Sequence, residues 1–175
     1  NNIGLSGGIP ESIGRLTQLR ILGLKSNNLR GEIPLSIGNL EHLTQLSLIN
    51  DSLSGSIPDT IRNLQFLWRL DLSNNQLTGS LPISISQLPV LETFLVDSNK
   101  LSGTIPDDIC NIYNQNSNFD LSGNKFCPPL PACLDKPNDI GFQNCDTSCG
   151  LGNTYLNGYC YSQIDLSVLQ KMIDN

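Results

Sequence analysis

The chain has 175 residues, a net charge of −6 and a hydrophobic content of 38%. No cationic face can be assembled from so acidic a composition, which excludes nucleic acid and anionic lipid surfaces as partners. No run approaches the ~18 apolar residues of a membrane-spanning helix, so this segment makes no membrane contact of that kind.

The first elements are repeats. Leu19, Leu43, Leu67 and Leu91 are evenly spaced and open four units of one pattern. Gly31, Gly55, Gly79 and Gly103 recur at one position of it, and Pro34, Pro58, Pro82 and Pro106 at another. Gly7 and Pro10 belong to a partial unit at the start. A fixed period in the range of roughly 20–29 residues means a solenoid. Each coil of a solenoid buries one stripe against its neighbours, so a modest hydrophobic content suffices. Such a fold offers an extended surface rather than a pocket. The chain begins inside a coil, with Ile3 where a polar turn residue belongs. This predicts a first coil with an uncovered hydrophobic end, as in a fragment or a chain without its N-terminal cap.

Within the coil Leu67 to Leu88, Leu70-x-Leu72 has period 2, so both side chains point inward from a short strand while the intervening residues point out. Successive coils align these strands in a parallel sheet. Asn75 follows, where the chain turns away, and its amide can both donate and accept. Asn27, Asp51, Asn75, Asn99 and Asn124 form the predicted ladder. Asp51 departs from it, because an ionised carboxylate cannot donate, and its rung should be weaker or rearranged. Glycine then permits a close approach or unusual backbone angles, and proline ends strand pairing. Ile85 and Leu88, at i and i+3, suit one 3₁₀ or helical turn on the outer side.

The pattern L-x-x-L-x-L-x-x-N-x-L-S/T-G-x-I-P-x-x-I-G-x-L resembles the plant-type leucine-rich repeat. Plant receptor kinases, receptor-like proteins and polygalacturonase-inhibiting proteins carry it. The resemblance implies a right-handed α/β solenoid with a parallel concave sheet, a second short sheet from the S-G-x-I-P segments, and a short 3₁₀ or helical convex side. Residues 1–134 hold about five and a half such coils.

Pro131 follows Pro106 by one residue more than the constant spacing of the earlier prolines, so one residue is inserted near Asn114–Asn116. All six cysteines fall between Cys110 and Cys160. That clustering reads as disulfides in an oxidising compartment rather than a zinc site, because Cys145 and Cys149 have no second close pair. Cys110 and Cys133 occupy nearly equivalent positions of adjacent coils. Strands ~4.8 Å apart match the ~5.5 Å Cα separation of a disulfide. Cys127–Cys145 and Cys149–Cys160 complete one of about 15 possible connectivities. Cys127-Pro-Pro-Leu-Pro-Ala-Cys133 is similar to the cysteine-bearing C-terminal caps of the family. Residues 135–175 are read as the cap: Asn-, Asp-, Gly- and Tyr-rich loop to residue 161, then a helix at about 163–173 opened by a Ser162–Asp165 capping box.

Catalysis has no visible machinery. His42 is the only histidine, with no nucleophile at a defined spacing, and the aspartates lack a calcium-loop pattern. No cofactor or metal is expected. The outward strand positions are where the resemblance places partner binding. In columns along the solenoid they are Arg20, Thr44, Trp68, Glu92, Ser117; Ile21, Gln45, Arg69, Thr93, Asn118; Gly23, Ser47, Asp71, Leu95, Asp120; and Lys25, Ile49, Ser73, Asp97, Ser122. Trp68, the only tryptophan, with Arg69, Asp71, Ile49 and Leu95, forms the expected patch for a protein or peptide partner. Convex Glu41, His42, Gln65 and Gln87 should be indifferent. Asn50-Asp51-Ser52 is a glycosylation sequon. The reading is a secreted or extracellular recognition module, with a secreted inhibitor of a cell-wall-degrading enzyme or an ice-binding protein as alternatives. Ice binding needs a regular array of similar small residues, and these columns mix charge and size.

Overall fold

The computed structural model describes residues 4–113, 118–127, 129–134 and 143, and the backbone of 153–156 and 159–162. The strands, in chain order, are β1 (Ser6–Gly7), β2 (Ile21–Gly23), β3 (Asn28–Glu32), β4 (Gln45–Ser47), β5 (Ser52–Ser54), β6 (Arg69–Asp71), β7 (Thr93–Leu95), β8 (Ser102–Gly103), β9 (Asn118–Asp120), β10 (Lys125–Phe126), β11 (Asn153–Leu156) and β12 (Tyr159–Ser162). One sheet runs in the order β2-β4-β6-β7-β9, all parallel. Its register steps by the sequence period: Gln45 pairs with Arg69 and Arg69 with Thr93. Between β7 and β9 the step grows by one residue, from Thr93 to Asn118, where the sequence predicts the insertion.

The second sheet is there as the resemblance implies. β1, β3 and β5 pair in parallel, as do β8 and β10. The coil between them keeps the same bonds: the Gln76 and Thr78 N–H groups donate to Leu53 and Gly55 oxygens at 2.8 Å. On the convex side the first four prolines stand just before 3₁₀ segments Glu11–Arg15, Leu35–Asn39, Asp59–Asn63 and Ile83–Gln87. The N–H three residues later returns to the proline oxygen, as from Ile37 to Pro34 at 3.0 Å. The fifth such segment, Ile109–Tyr113, is α-helical. Gly38 is required by packing: a Cβ there would sit 2.6 Å from the Thr60 carbonyl oxygen of the next coil.

The core is a stack of like residues. Leu22, Leu46, Leu70 and Phe94 form one buried file, and Leu29, Leu53, Leu77, Leu101 and Phe126 another. Aromatic residues enter only towards the C-terminal end, where Phe119 lies 5.7 Å from Phe94 and 5.2 Å from Tyr113. At the other end Leu16 is 52% exposed, while its counterparts Leu40 and Leu64 are fully buried. Ile3 lies outside the described residues.

The turn after each concave strand contains a residue in the left-handed region: Ser26, Asn50, Asn74 and Ser98, with φ between 55° and 56°, and Gly123 after β9, with φ 64°. The ladder secures these turns. The Leu53 N–H donates to Asn75 Oδ1 at 3.0 Å, and Asn75 Nδ2 donates to the carbonyls of Leu48, Leu72 and Ser73. Asn99 and Asn124 repeat this arrangement. Asp51 keeps half of it. Its Oδ1 accepts from the Asn27 and Leu29 N–H groups, but Oδ2 is buried and has no hydrogen-bond partner among the described residues.

Beyond Asn124 the ladder has a rung that the period does not foretell. Gln143 is buried and bridges in parallel to Asn124. Its Oε1 accepts from Phe126 N–H at 3.2 Å, and Nε2 donates to Leu121 oxygen at 2.8 Å. These are the next-coil equivalents of the groups Asn124 bonds. Cys110–Cys133 is bridged, with Cα atoms 5.6 Å apart. Cys127 is also disulfide-bonded. The expected Cys127–Cys145 and Cys149–Cys160 pairings, and the terminal helix, lie outside the described residues. One expectation is corrected: β11 and β12 pair antiparallel within the stretch read as loop, with Tyr155 opposite Cys160. Asn157-Gly158 between them is a hairpin-turn dipeptide flanked by strand-forming residues, a signal that outweighs the polar composition.

Asp51→Asn restores a donor facing the turn and should raise stability by about 1–3 kcal/mol. Asn75→Asp should lower it by a similar amount. Thermal melting of both variants at neutral pH checks this. A neutral Asp51→Asn would mean that the turn relaxes around the carboxylate.

Candidate binding face

The parallel sheet presents its outward columns on the concave side, and β6 stands at its centre. Period 2 puts Arg69, Asp71 and Ser73 on one face. Arg69 Nη2 lies 2.7 Å from Asp71 Oδ2, and Ser73 donates its hydroxyl to Asp71 Oδ1 at 2.7 Å. Both carboxylate oxygens are thus engaged, and the Asp71 side chain is only 3% exposed while Arg69 keeps 31%. Asp71 therefore positions Arg69 rather than offering a free charge. Asp120 uses a related device, accepting the Ser122 N–H at 2.8 Å.

Of the other expected contact residues, Trp68 is 36% exposed at the upstream edge of β6. Ile49, just past β4, and Leu95, in β7, are half-buried on the coils either side. The five expected residues thus come from three adjacent coils. The apolar surface extends beyond them: Phe66 is 61% exposed and Ile21 59%. Phe66 sits just before the coil's opening leucine, a position outside the four columns read from the sequence. Its only signal is an aromatic residue two positions before an outward tryptophan.

A shallow cavity of about 200 Å³ opens at this edge, lined by Arg20, His42, Thr44 and Phe66, so His42, expected to be convex and indifferent, instead shares a cavity with two residues of the outward columns. His42 Nδ1 lies 3.1 Å from the Thr17 carbonyl oxygen, so Nδ1–H donates. The Thr44 hydroxyl donates to the Arg20 carbonyl at 2.8 Å. Asn50 of the sequon is exposed and occupies the left-handed turn position, with Nδ2 3.5 Å from Ser26 Oγ. Asparagine is favoured at such angles for structural reasons alone.

The second sheet carries a different surface. Ser54-Gly55-Ser56, Thr78-Gly79-Ser80 and Ser102-Gly103-Thr104 occupy equivalent positions of three successive coils, but the backbone pairing of this sheet is shifted from the repeat, with Arg30 opposite Ser52 and the Thr78 N–H on the Gly55 oxygen. They are close-set: a Cβ on Gly79 would lie 3.5 Å from Ser56 Cβ, and one on Gly103 3.8 Å from Ser80 Cβ.

The repeat profile of the leucine-rich repeat family matches residues 18–40, 66–88 and 90–112. Among solved structures the chain is similar to the plant peptide hormone receptor RGFR1 in complex with RGF2, at 35% identity and a TM-score of 0.70, over 81% of this chain and 23% of that one. It is 40% identical to a chain of the BIR3–SERK2 complex from Arabidopsis thaliana, with a TM-score of 0.62, over 73% of this chain and 68% of that one. A plant ice-binding protein is 37% identical, with a TM-score of 0.64, over 70% of this chain and 40% of that one. No curated protein matches significantly. The chain belongs to the leucine-rich repeat family, in its plant-type form. It spans about a quarter of the RGFR1 chain and two thirds of the BIR3–SERK2 one.

Arg69→Ala leaves the Asp71 carboxylate buried with only Ser73 as partner, and should cost about 1–3 kcal/mol. Asp71→Asn removes the charge but keeps the shape, and should cost less. Urea unfolding of both variants tests the order. Equal, near-zero losses would show that the pair does not hold this surface.

Proposed function

We propose that the chain is a non-catalytic extracellular recognition module that binds a protein or peptide partner through the concave face. The observation that carries this reading is the patch itself. A partly exposed tryptophan, an arginine fixed by a buried carboxylate, and two half-buried aliphatic residues come from three adjacent coils. Trp and Arg dominate binding hot spots, and an arginine already held in one rotamer loses less entropy on binding. The disulfide and the likeness to ectodomains of plant receptors support an oxidising, extracellular setting. Among the described residues no helix is long and apolar enough to cross a membrane. A secreted inhibitor of a cell-wall-degrading enzyme would use the same face and differ only in its partner.

A second reading, ice binding, is favoured by one observation. The concave columns are irregular, whereas the lateral segments repeat small Ser/Thr residues at equivalent positions of three successive coils. The likeness to a plant ice-binding protein adds to it.

Peptides selected from a displayed random library on the wild-type chain provide the test. Trp68→Ala should weaken their binding by about 2 kcal/mol, roughly 30-fold, with little change in melting temperature. Gln87→Ala, on the convex side, should leave binding unchanged. Equal losses in both variants, or unfolding of Trp68→Ala, would mean that the wrong face was chosen. Ice-recrystallisation inhibition by the wild-type chain, abolished by Thr78→Tyr, would instead establish the second reading.

A further inference from the structure

We propose that the concave face is ordered by charge along the solenoid axis. It would select an extended segment that carries an acidic end and a basic end, and hold the acidic end over the first two coils. This rests on the concave face being the binding surface, and it adds the class and the orientation of the ligand.

The outward columns change sign from one end to the other. The coil of β2 presents Arg20 and Lys25, both exposed and without an ion pair among the described residues. His42 and Phe66 complete the cavity beside Arg20, so a carboxylate and its apolar neighbour can be received together. On the coil of β4 the outward residues Thr44, Gln45, Ser47 and Ile49 are neutral. The coil of β6 holds one charge of each sign, but Arg69 and Asp71 neutralise each other at 2.7 Å. The coils of β7 and β9 present Glu92, Asp97 and Asp120, and their other described outward residues, Thr93, Leu95, Asn118 and Ser122, are uncharged.

Adjacent strands lie ~4.8 Å apart, so the four steps from β2 to β9 span ~19 Å, the length of about six extended residues. Trp68 and Leu95 stand between the two ends, beside a neutralised pair, and suit an apolar residue at the middle of the segment. The exposed charges read the ends of the ligand, not its backbone, so the N-to-C direction of the segment is free. The reverse placement sets acid over Glu92, Asp97 and Asp120 and base over Arg20 and Lys25, so that every end contact turns from attractive to repulsive.

The probe is a peptide of about eight residues with two aspartates at one end, two lysines at the other and a neutral Ser-Leu-Gly-Leu centre. It carries a nitroxide at the acidic end, and in a second version at the basic end. A third version has the charge order reversed relative to the chain direction. Amide signals of the full, isotope-labelled protein are followed. With the label at the acidic end, broadening should concentrate on residues 20–23 and 44–47. With the label at the basic end it should move to 93–97 and 118–122, whichever way the sequence runs. The preference should be about tenfold or more at ~0.01 M salt and fade near 1 M, where the Debye length falls to ~3 Å. Arg20→Gln combined with Lys25→Gln should cut it to the part set by Glu92, Asp97 and Asp120, without unfolding the chain. Equal broadening at both ends of the concave face would overturn the charge order while leaving the face as the binding surface. Broadening on the convex or lateral side, or no binding at all, would overturn both.

Discussion

The described coils depend on one Asn or Asp side chain each, which secures the turn of the chain out of the sheet. A left-handed turn after a buried strand strands several backbone groups away from water, and each unpaired group would cost stability. Asn75 meets four of them at once: it accepts from Leu53 N–H and donates to three carbonyls. Because the acceptor belongs to one coil and Leu53 to the coil before, each rung also ties neighbours together. The leucine files can then stack in register, since the turns that set the register are held by hydrogen bonds of fixed length. Asp51 shows the limit of the device. The coil-to-coil bonds survive on Oδ1, while the local donor is lost and Oδ2 is buried without compensation.

A one-dimensional stack must also stop. Here the C-terminal end changes the chemistry of the repeat without changing its logic. Phenylalanines replace leucines in the core files, and a bulkier ring covers more of an open end than an aliphatic side chain. The Cys110–Cys133 bridge links the helix Ile109–Tyr113 to a 3₁₀ turn at Ala132–Leu134. Gln143 supplies the closing rung from outside the repeat. Its extra methylene gives its amide a longer reach than asparagine's, and it satisfies the same two kinds of backbone group that Asn124 satisfies one coil earlier.

The repeating part was legible because each contact in a solenoid recurs with the sequence. The constant step between coils, the five rungs, the proline-led turns and even the extra residue before β9 appear where the pattern places them. The Cys110–Cys133 bridge followed from the same register. What was not legible occurs only once. Gln143 follows Asn124 at less than a full period and with a different side chain, so no repetition points to it. The β11–β12 hairpin was hidden by reading a polar composition instead of the Asn157-Gly158 dipeptide. At the candidate site the columns gave the outward direction of each residue but not its exposure. Asp71 points outward as expected and is buried all the same, because Arg69 and Ser73 close over it.

That last point bears on how such a surface can recognise anything. Between its edges a sheet of short parallel strands has its backbone groups paired, so its face offers a ligand only side chains. Side chains on a concave face crowd one another, and those at the centre tend to satisfy each other first. The Arg69–Asp71–Ser73 group does so: it contributes a fixed shape and no net charge. The capacity left for a partner then lies at the periphery, in groups without an ion pair among the described residues. These are Arg20 and Lys25 at one end, Glu92 and Asp97 at the other, and the aromatic edge of Phe66 and Trp68 between. A neutralised centre with unlike charges at the two ends discriminates by ligand length and polarity together, since a segment too short to reach both ends gains only one of them. Selectivity of that kind needs no pocket, and a solenoid lengthens or shortens it by adding or removing a coil.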